Sequence, residues 1–242
     1  MVIWFYGGAY AFDSKNEFDI SQLPLYSGQG LLTATSEPLI YVAGNYRLGA
    51  FGWLAGSYME KEALPNAGLH DQRKILEFVQ NYIDRVNGDL MAVSAWGESA
   101  GAGSILHHLV SMDGKQDPLF SRAILQSPAF GWHWNRSGSL NDTYTKFAGF
   151  VDCHGGDLRC LQSANQATLE NANQMLFQSS SACLGVFPVG PSLDGHMIKT
   201  LLAVVLSTGR WRIFAPVIFA NTLKVDTGPA SHPSSFRTYP MK

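Results

Sequence analysis

Short apolar runs alternate along the chain with segments of helical period. Val2-Ile3-Trp4-Phe5-Tyr6 is an unbroken apolar run that stops at Gly7-Gly8, and such runs suit strands buried on both faces. Leu39 to Asn45 is a second β-rich run, closed by the glycine-rich segment Arg47 to Gly52. Within Leu69 to Val86, the residues Leu76, Val79, Ile83 and Val86 recur at three- and four-residue steps, which puts them on one face of a helix. Asn87-Gly88-Asp89 then stops that helix. Val93 to Trp96 reads as a short strand and Ala100 to Val110 as a helix that opens with small residues. Arg122 to Gln126 and Pro216 to Asn221 read as further strands. Strand and helix in this rhythm predict an α/β fold with a mainly parallel central sheet.

Between Gly138 and Ser207 the strand signals vanish. Leu140 to Val151, Thr168 to Phe177 and Met197 to Leu206 read as helices joined by loops. The expectation is a single domain over residues 1–242, with residues 138–208 as a helical insertion within it, over a sheet edge. No internal repeat interrupts this plan, and Gly228 to Lys242 is rich in Pro and Ser without periodicity.

Composition narrows the class. Hydrophobic residues make up 46% of the chain and charged residues 15%, enough to build a core and too apolar for disorder. Lys plus Arg number 17 against 19 Asp plus Glu, a net charge of −2, so neither nucleic acid nor an anionic membrane surface is favoured as a partner. The longest apolar run of the C-terminal third, Leu201 to Leu206, is far short of the ~20 residues a membrane span needs. Met1 is followed at once by the Val2 run and not by the basic start of a signal peptide. Three Cys are too few for a disulfide scaffold, and no Cys/His set has zinc-ligand spacing. No cofactor or metal is implied.

The chemistry concentrates in Gly97-Glu98-Ser99-Ala100-Gly101, which matches G-x-S-x-G between the strand Val93 to Trp96 and the helix from Ala100. In that context the pattern describes a nucleophile elbow: a sharp turn flanked by residues without bulk, holding a serine at the sheet's edge before a helix N-terminus. A bare match to so short a pattern also arises by chance, and the strand-turn-helix context is what argues against that. Tyr6-Gly7-Gly8-Ala9 follows a strand upstream of the elbow. By itself Gly-Gly is an ordinary strand-ending turn. Paired with Ser99, it offers consecutive backbone N–H groups able to converge on an oxyanion.

Taken together, these blocks resemble the type-B carboxylesterase family, which includes the cholinesterases and fungal lipases. Val2 to Tyr10 resembles its oxyanion strand and loop, Asn45-Tyr46-Arg47-Leu48-Gly49 its N-Y-R-x-G segment, and Asn66 to Arg73 its N-x-G-x-x-D-Q block. Gly88-Asp89, Gly97 to Gly101, Leu125-Gln126-Ser127, Pro191 to Gly195 (P-x-x-D-G) and Ala215 to Asn221 follow in family order, so the likeness runs to about residue 228. The resemblance implies an α/β-hydrolase fold, Ser99 as nucleophile, and Gly8, Ala9 and Ala100 as oxyanion donors. Gly7 would be the flexible start of that loop, and Glu98 would be structural. Trp134, in the run Phe130-Gly131-Trp132-His133-Trp134, stands where relatives place an acyl-pocket aromatic; ordinary core aromatics explain the run as well. Ala9 replaces a third glycine, and its methyl would narrow the alcohol side of the pocket. The resemblance further implies a Cys153–Cys160 disulfide, worth about 2–3 kcal/mol in the chain-entropy model, the alternative being two thiols. With that bond, the parent protein would fold in an oxidising compartment and be secreted. Cys183 is left over.

The sequence departs from the family beyond the strand at Pro216 to Asn221. A serine esterase needs a base on the serine and an acid behind the base, in the chain order Ser, acid, His. Asp226, in Lys224-Val225-Asp226-Thr227-Gly228, is the carboxylate available as acid but stands one place early. His232 follows only six residues later, too near to be the family's base, and the other histidines precede Asp226. His107 and His108 fall on the helix behind the elbow and read as packing or surface residues. The chain therefore reads as a partial α/β-hydrolase domain, truncated at both ends, that by itself turns over esters poorly. A serine hydrolase of small-molecule carboxylic esters is the leading expectation, and a non-catalytic, cholinesterase-like binding or adhesion module is the alternative.

Overall fold

The computed structural model describes residues 1–16, 27–131, 133–179, 187–210, 217–220 and 237–238. Asp226, His232 and Cys183 lie outside the described residues.

The elements in chain order are β1 (Val2–Phe5), α1 (Gln29–Ala34), β2 (Tyr41–Ala43), α2 (Gly49–Trp53), α3 (Ser57–Glu62) and α4 (Ala67–Tyr82) with a 3-10 turn at Ile83–Val86. There follow β3 (Ser94–Glu98), α5 (Ala100–Gly114), β4 (Arg122–Gln126), α6 (Ser139–Phe150), α7 (Leu158–Ser163), α8 (Gln166–Ser179), α9 (Leu202–Ser207), β5 (Val217–Ala220) and β6 (Arg237–Thr238). The strands form one sheet in the order β2-β1-β3-β4-β5-β6. Pairing is parallel from β2 through β5, and β6 alone is antiparallel.

All four residues of β1 are buried, as an apolar run between two neighbours requires. Because side chains alternate across a sheet, β1 feeds two cores. Trp4 and Tyr6 join Tyr46, Trp53, Tyr144, Phe147 and Leu176 on one side, under α2, α6 and α8. Ile3 and Phe5 join Leu76, Val79, Ile105, Leu109 and Leu125 on the other, under α4 and α5. The register sets Phe5 opposite Gly97 and Glu98 opposite Gln126, so the ends of β1, β3 and β4 meet at one edge, where Ser99 sits.

Several expectations shift in detail. The α5 dihedrals are helical through Val110 and leave the helical region at Ser111, Met112 and Asp113, so the expected end at Val110 holds. Met197 to Leu206 contributes a helix only from Leu202. The reason is local: the Asp194 carboxylate accepts from the backbone N–H groups of His196 and Ile198 at 2.8 and 2.9 Å, which holds that stretch in a turn. The segment expected to be a glycine-rich closing loop contains α2, whose Gly49 N–H donates to the Tyr10 carbonyl at 2.7 Å. Cys153 and Cys160 are disulfide-bonded, with Cα atoms 5.7 Å apart.

Candidate active site

Strand β3 ends at Glu98 and α5 starts at Ala100, so Ser99 makes the whole turn. Its φ of 51° and ψ of −117° lie outside the broad allowed regions for an L-residue, so surrounding contacts must hold it. Those contacts are present. The Ser99 N–H donates to the Gln126 carbonyl, and the Ser99 carbonyl accepts from the N–H groups of Gly103 and Ala129, each at 2.9 Å. The flanking glycines permit the approach. A Cβ on Gly101 would lie 2.0 Å from the Phe5 carbonyl oxygen, and one on Gly97 2.7 Å from the Gly101 carbonyl carbon; neither position accepts alanine without backbone movement.

The glycine loop after β1 abuts this turn. A Cβ on Gly7 would stand 3.1 Å from the Ser99 Cβ and 2.6 Å from the Glu98 Oε2. Gly8, Ala9 and Tyr10 follow with φ of 88°, 55° and 62°, and the N–H groups of Ala11 and Phe12 both return to the Gly8 carbonyl, at 2.9 and 3.1 Å. That tight turn occupies the Gly8 carbonyl. The N–H groups of Gly8, Ala9 and Ala100 have no acceptor among the described residues. Two tyrosines brace the loop. The Tyr46 hydroxyl donates to the Tyr6 carbonyl at 2.7 Å, and their rings stack with centroids 4.4 Å apart. The Tyr10 hydroxyl donates to the Ala129 carbonyl at 2.7 Å, and burial pushes its pKa up, so it stays a neutral donor.

Polar pairs fix the rest. Asn66 donates through Nδ2 to the Ser192 carbonyl and the Asp194 Oδ2, each at 2.8 Å, and accepts the Ser192 N–H at 2.9 Å. Asp71 accepts from Arg47 Nε and Nη2 at 2.7 and 2.8 Å. Gln72 donates to the Ser104 hydroxyl at 3.1 Å, which leaves its Oε1 to accept from His108 Nε2 at 3.1 Å. His108 and His107 are 1% and 4% exposed, and burial lowers both pKa values to about 3. They are neutral packing residues, in line with the sequence reading. No histidine hydrogen-bonds the Ser99 hydroxyl among the described residues.

Trp134 is 55% exposed. A cleft is lined by Phe130, Gly131, His133, Pro191, Leu193 and His107. His133 carried no assignment in the sequence; burial lowers its pKa to about 4. Among the described residues no group of three or more His, Cys, Asp or Glu side chains could hold a metal ion. No described helix is long and apolar enough to cross a membrane.

A serine in a forced strand-to-helix turn at the edge of a parallel sheet, beside a glycine loop, defines an α/β hydrolase. The family model for carboxylesterases matches residues 1–210, and the chain belongs to the carboxylesterase family. It is 40% identical over 222 residues to a secreted lipase of Arthroderma benhamiae, covering 91% of this chain and 42% of that protein. It is 32% identical over 251 residues to Lipase 2 of Geotrichum candidum, covering 96% of this chain and 42% of the relative. Among solved structures, Aspergillus niger EstA superposes with a TM-score of 0.75 at 30% identity, over 89% of this chain and 41% of that one. A thermophilic pNB esterase superposes at 0.79 with 25% identity, over 95% and 46%. The chain thus spans about two-fifths of the length of the curated relatives it matches.

Proposed function

We propose that the protein carrying these residues hydrolyses carboxylic esters through an acyl-enzyme on Ser99. What supports this reading is a forced Ser99 turn that abuts the glycine loop, together with backbone N–H groups of Gly8, Ala9 and Ala100 that have no acceptor among the described residues. The Ser99 Oγ adds to the ester carbonyl as its proton passes to a base. The carbonyl oxygen gains charge and is held by those N–H groups, alcohol leaves with a proton, and water then releases the acid. One such donor is worth about 3 kcal/mol of barrier. Asp226 is the acid in this reading. Trp134 borders the acyl side, its exposed ring facing solvent until acyl groups cover it.

Residues 1–242 form part of one α/β-hydrolase domain, with 138–208 inserted within it. The substrate is a small-molecule ester, and no cofactor enters the chemistry. Relatives named as secreted lipases, together with the Cys153–Cys160 bond, support a secreted parent, since such bonds persist in oxidising compartments. A binding module without catalysis would have no use for the strain at Ser99, which favours the enzyme. The test is p-nitrophenyl butyrate hydrolysis by the full-length protein and its Ser99→Ala variant. Removing the nucleophile should lower kcat by at least about 10³-fold; a loss under about tenfold would sink the assignment.

A further inference from the structure

The far end of α5 carries a second cluster of polar side chains, unrelated to Ser99. His70 and Arg73 on α4, Met112 and Gln116 after the regular part of α5, and His196 and Met197 beyond Asp194 line one solvent-open cleft of about 220 Å³. No carboxylate is among its lining residues. Arg73 is a permanent cation whose side chain is only 14% exposed. It donates to the Asp117 carbonyl and, at 3.4 Å, to Glu77, which engages two of the five N–H groups of a guanidinium. The Nε2 of His70 is shielded from solvent and has no hydrogen-bond partner among the described residues. His196 stands exposed at the rim.

Glu77 pairs with Arg73 Nε at 3.4 Å and with Lys74 Nζ at 2.6 Å, and the other two nearby carboxylates are committed elsewhere. Asp194 accepts from the N–H groups of His196 and Ile198 on Oδ1 and from Asn66 on Oδ2. Asp71 is held by Arg47 through both oxygens. Neither can turn to neutralise the cleft. Burial and the charge of His196 hold His70 below its ordinary value, with Arg47 acting in the same direction and Asp194 and Asp71 opposing them. A metal cation is disfavoured: no group of three His, Cys, Asp or Glu side chains able to hold one is found among the described residues, and Arg73 repels a cation.

We propose that this cleft binds a small oxyanion, a carboxylate or phosphate, between the Arg73 guanidinium and the imidazoles of His70 and His196. Arg73 and His70 Nε2–H donate to the anion from inside, and His196 closes over it from the rim. Met112 and Met197 form the apolar part of the wall, which strengthens charge-assisted bonds by lowering the local dielectric. As pH falls and the His70 imidazole takes up a proton, the anion binds more tightly, and bound anion in turn favours the protonated ring. The groups facing His70 through which this acts are Arg73, His196, Asp194, Asp71 and Arg47, and the buried His108 also feels its charge. The site stands independently of ester hydrolysis.

The test is an NMR titration of the histidine ring protons with sodium acetate and, separately, sodium phosphate, at constant ionic strength in chloride. At pH 5.5 the His70 and His196 signals should shift saturably, with a Kd of about 1–10 mM, while that of His154 should not. His154 is exposed and outside the cleft. Binding should weaken at least about tenfold at pH 7.5 or in His196→Asn, a tenfold change being 1.4 kcal/mol. His196 is at the surface, so that variant should keep its far-UV circular dichroism. Arg73→Lys should bind better than Arg73→Gln. Tighter binding of acetate marks a carboxylate site, and tighter binding of phosphate a phosphate site. The proposal is overturned if neither anion gives saturation by about 100 mM. It is overturned equally if His196→Asn and Arg73→Gln bind as wild type, or if zinc ion shifts the His70 signal and the anions do not.

Discussion

Lowering the pH from 7 to 5 should destabilise this fold by several kcal/mol through two histidines. His107 and His108 are buried behind the elbow at 4% and 1% exposure, and desolvation is the largest cause of their fall from 6.5 to about 3. A base whose folded pKa lies below its unfolded value contributes stability that is complete above about 6.5. That stability is lost as pH falls from there towards 3, because the unfolded chain takes up the proton first. Between pH 7 and 5 the difference amounts to about 2 kcal/mol for each ring, hence about 4 kcal/mol for the pair. Domain stabilities are only about 5–15 kcal/mol, so the loss is a large share. Carboxylates act in a different window. Glu77, lowered chiefly by its hydrogen bond to Lys74, has an ordinary value of 4.5, so its contribution is lost only below that pH. The assay is urea unfolding followed by tryptophan fluorescence at pH 7 and 5, on wild type, His107→Phe and His108→Gln. Whatever each substitution does at pH 7, it should remove about 2 kcal/mol from the drop between the two pH values. A wild-type drop under about 1 kcal/mol, or an unchanged drop in both variants, refutes the buried-neutral assignment.

Three further outcomes follow from the geometry. Thiol titration of denatured, unreduced protein should find one free thiol, Cys183, and the paired Cys153→Ala/Cys160→Ala variant should lose about 2–3 kcal/mol in urea unfolding. Gly101→Ala should abolish soluble folded protein, because its Cβ would sit 2.0 Å from the Phe5 carbonyl oxygen; recovery of folded protein with wild-type melting would contradict the packing of α5 on β1. Ala9→Gly should raise stability by about 1 kcal/mol, since Ala9 holds φ at 55° where glycine is unstrained. A lower melting temperature would show that the methyl group packs favourably enough to outweigh the strain.

What could be read from the sequence, and what could not, divides along a physical line. β1, α4 and the turn from β3 into α5 are set by local pattern: an apolar run, a three-four periodicity, glycines around one serine. Their positions were therefore readable, down to the last helical residue of α5. The five- and six-residue helices α2 and α3 were not readable, because their stability comes from distant partners. Ala50 N–H, for example, is capped by Asn173 Oδ1, 123 residues away. Residues 197–201 carry an apolar pattern that suits a helix, yet the Asp194 carboxylate draws two backbone N–H groups out of any helical ladder.

The candidate site divides the same way. Ser99 and the glycine loop announce themselves, since a forced turn needs particular residues at adjacent positions. The residues that hold them do not. Asn66 reads alone as a helix-start polar residue, Gln72 and Asp71 as polar positions on a helix, and Tyr46 as one aromatic among many. Each is half of a pair. Asp71 meets Arg47 across 24 residues, and Asn66 meets Asp194 across 128. Leaving either half of the buried Asn66–Asp194 pair unpartnered costs about 1–3 kcal/mol, more than the exposed Arg47–Asp71 pair contributes. The motif blocks Asn45 to Gly49, Asn66 to Arg73 and Pro191 to Gly195 are therefore not three signatures but the facing sides of one scaffold. That scaffold fixes the loop and helix on which the Ser99 geometry depends, so a substitution in Asn66 should disturb the site as surely as one in Gly7, though nothing at position 66 could touch a substrate.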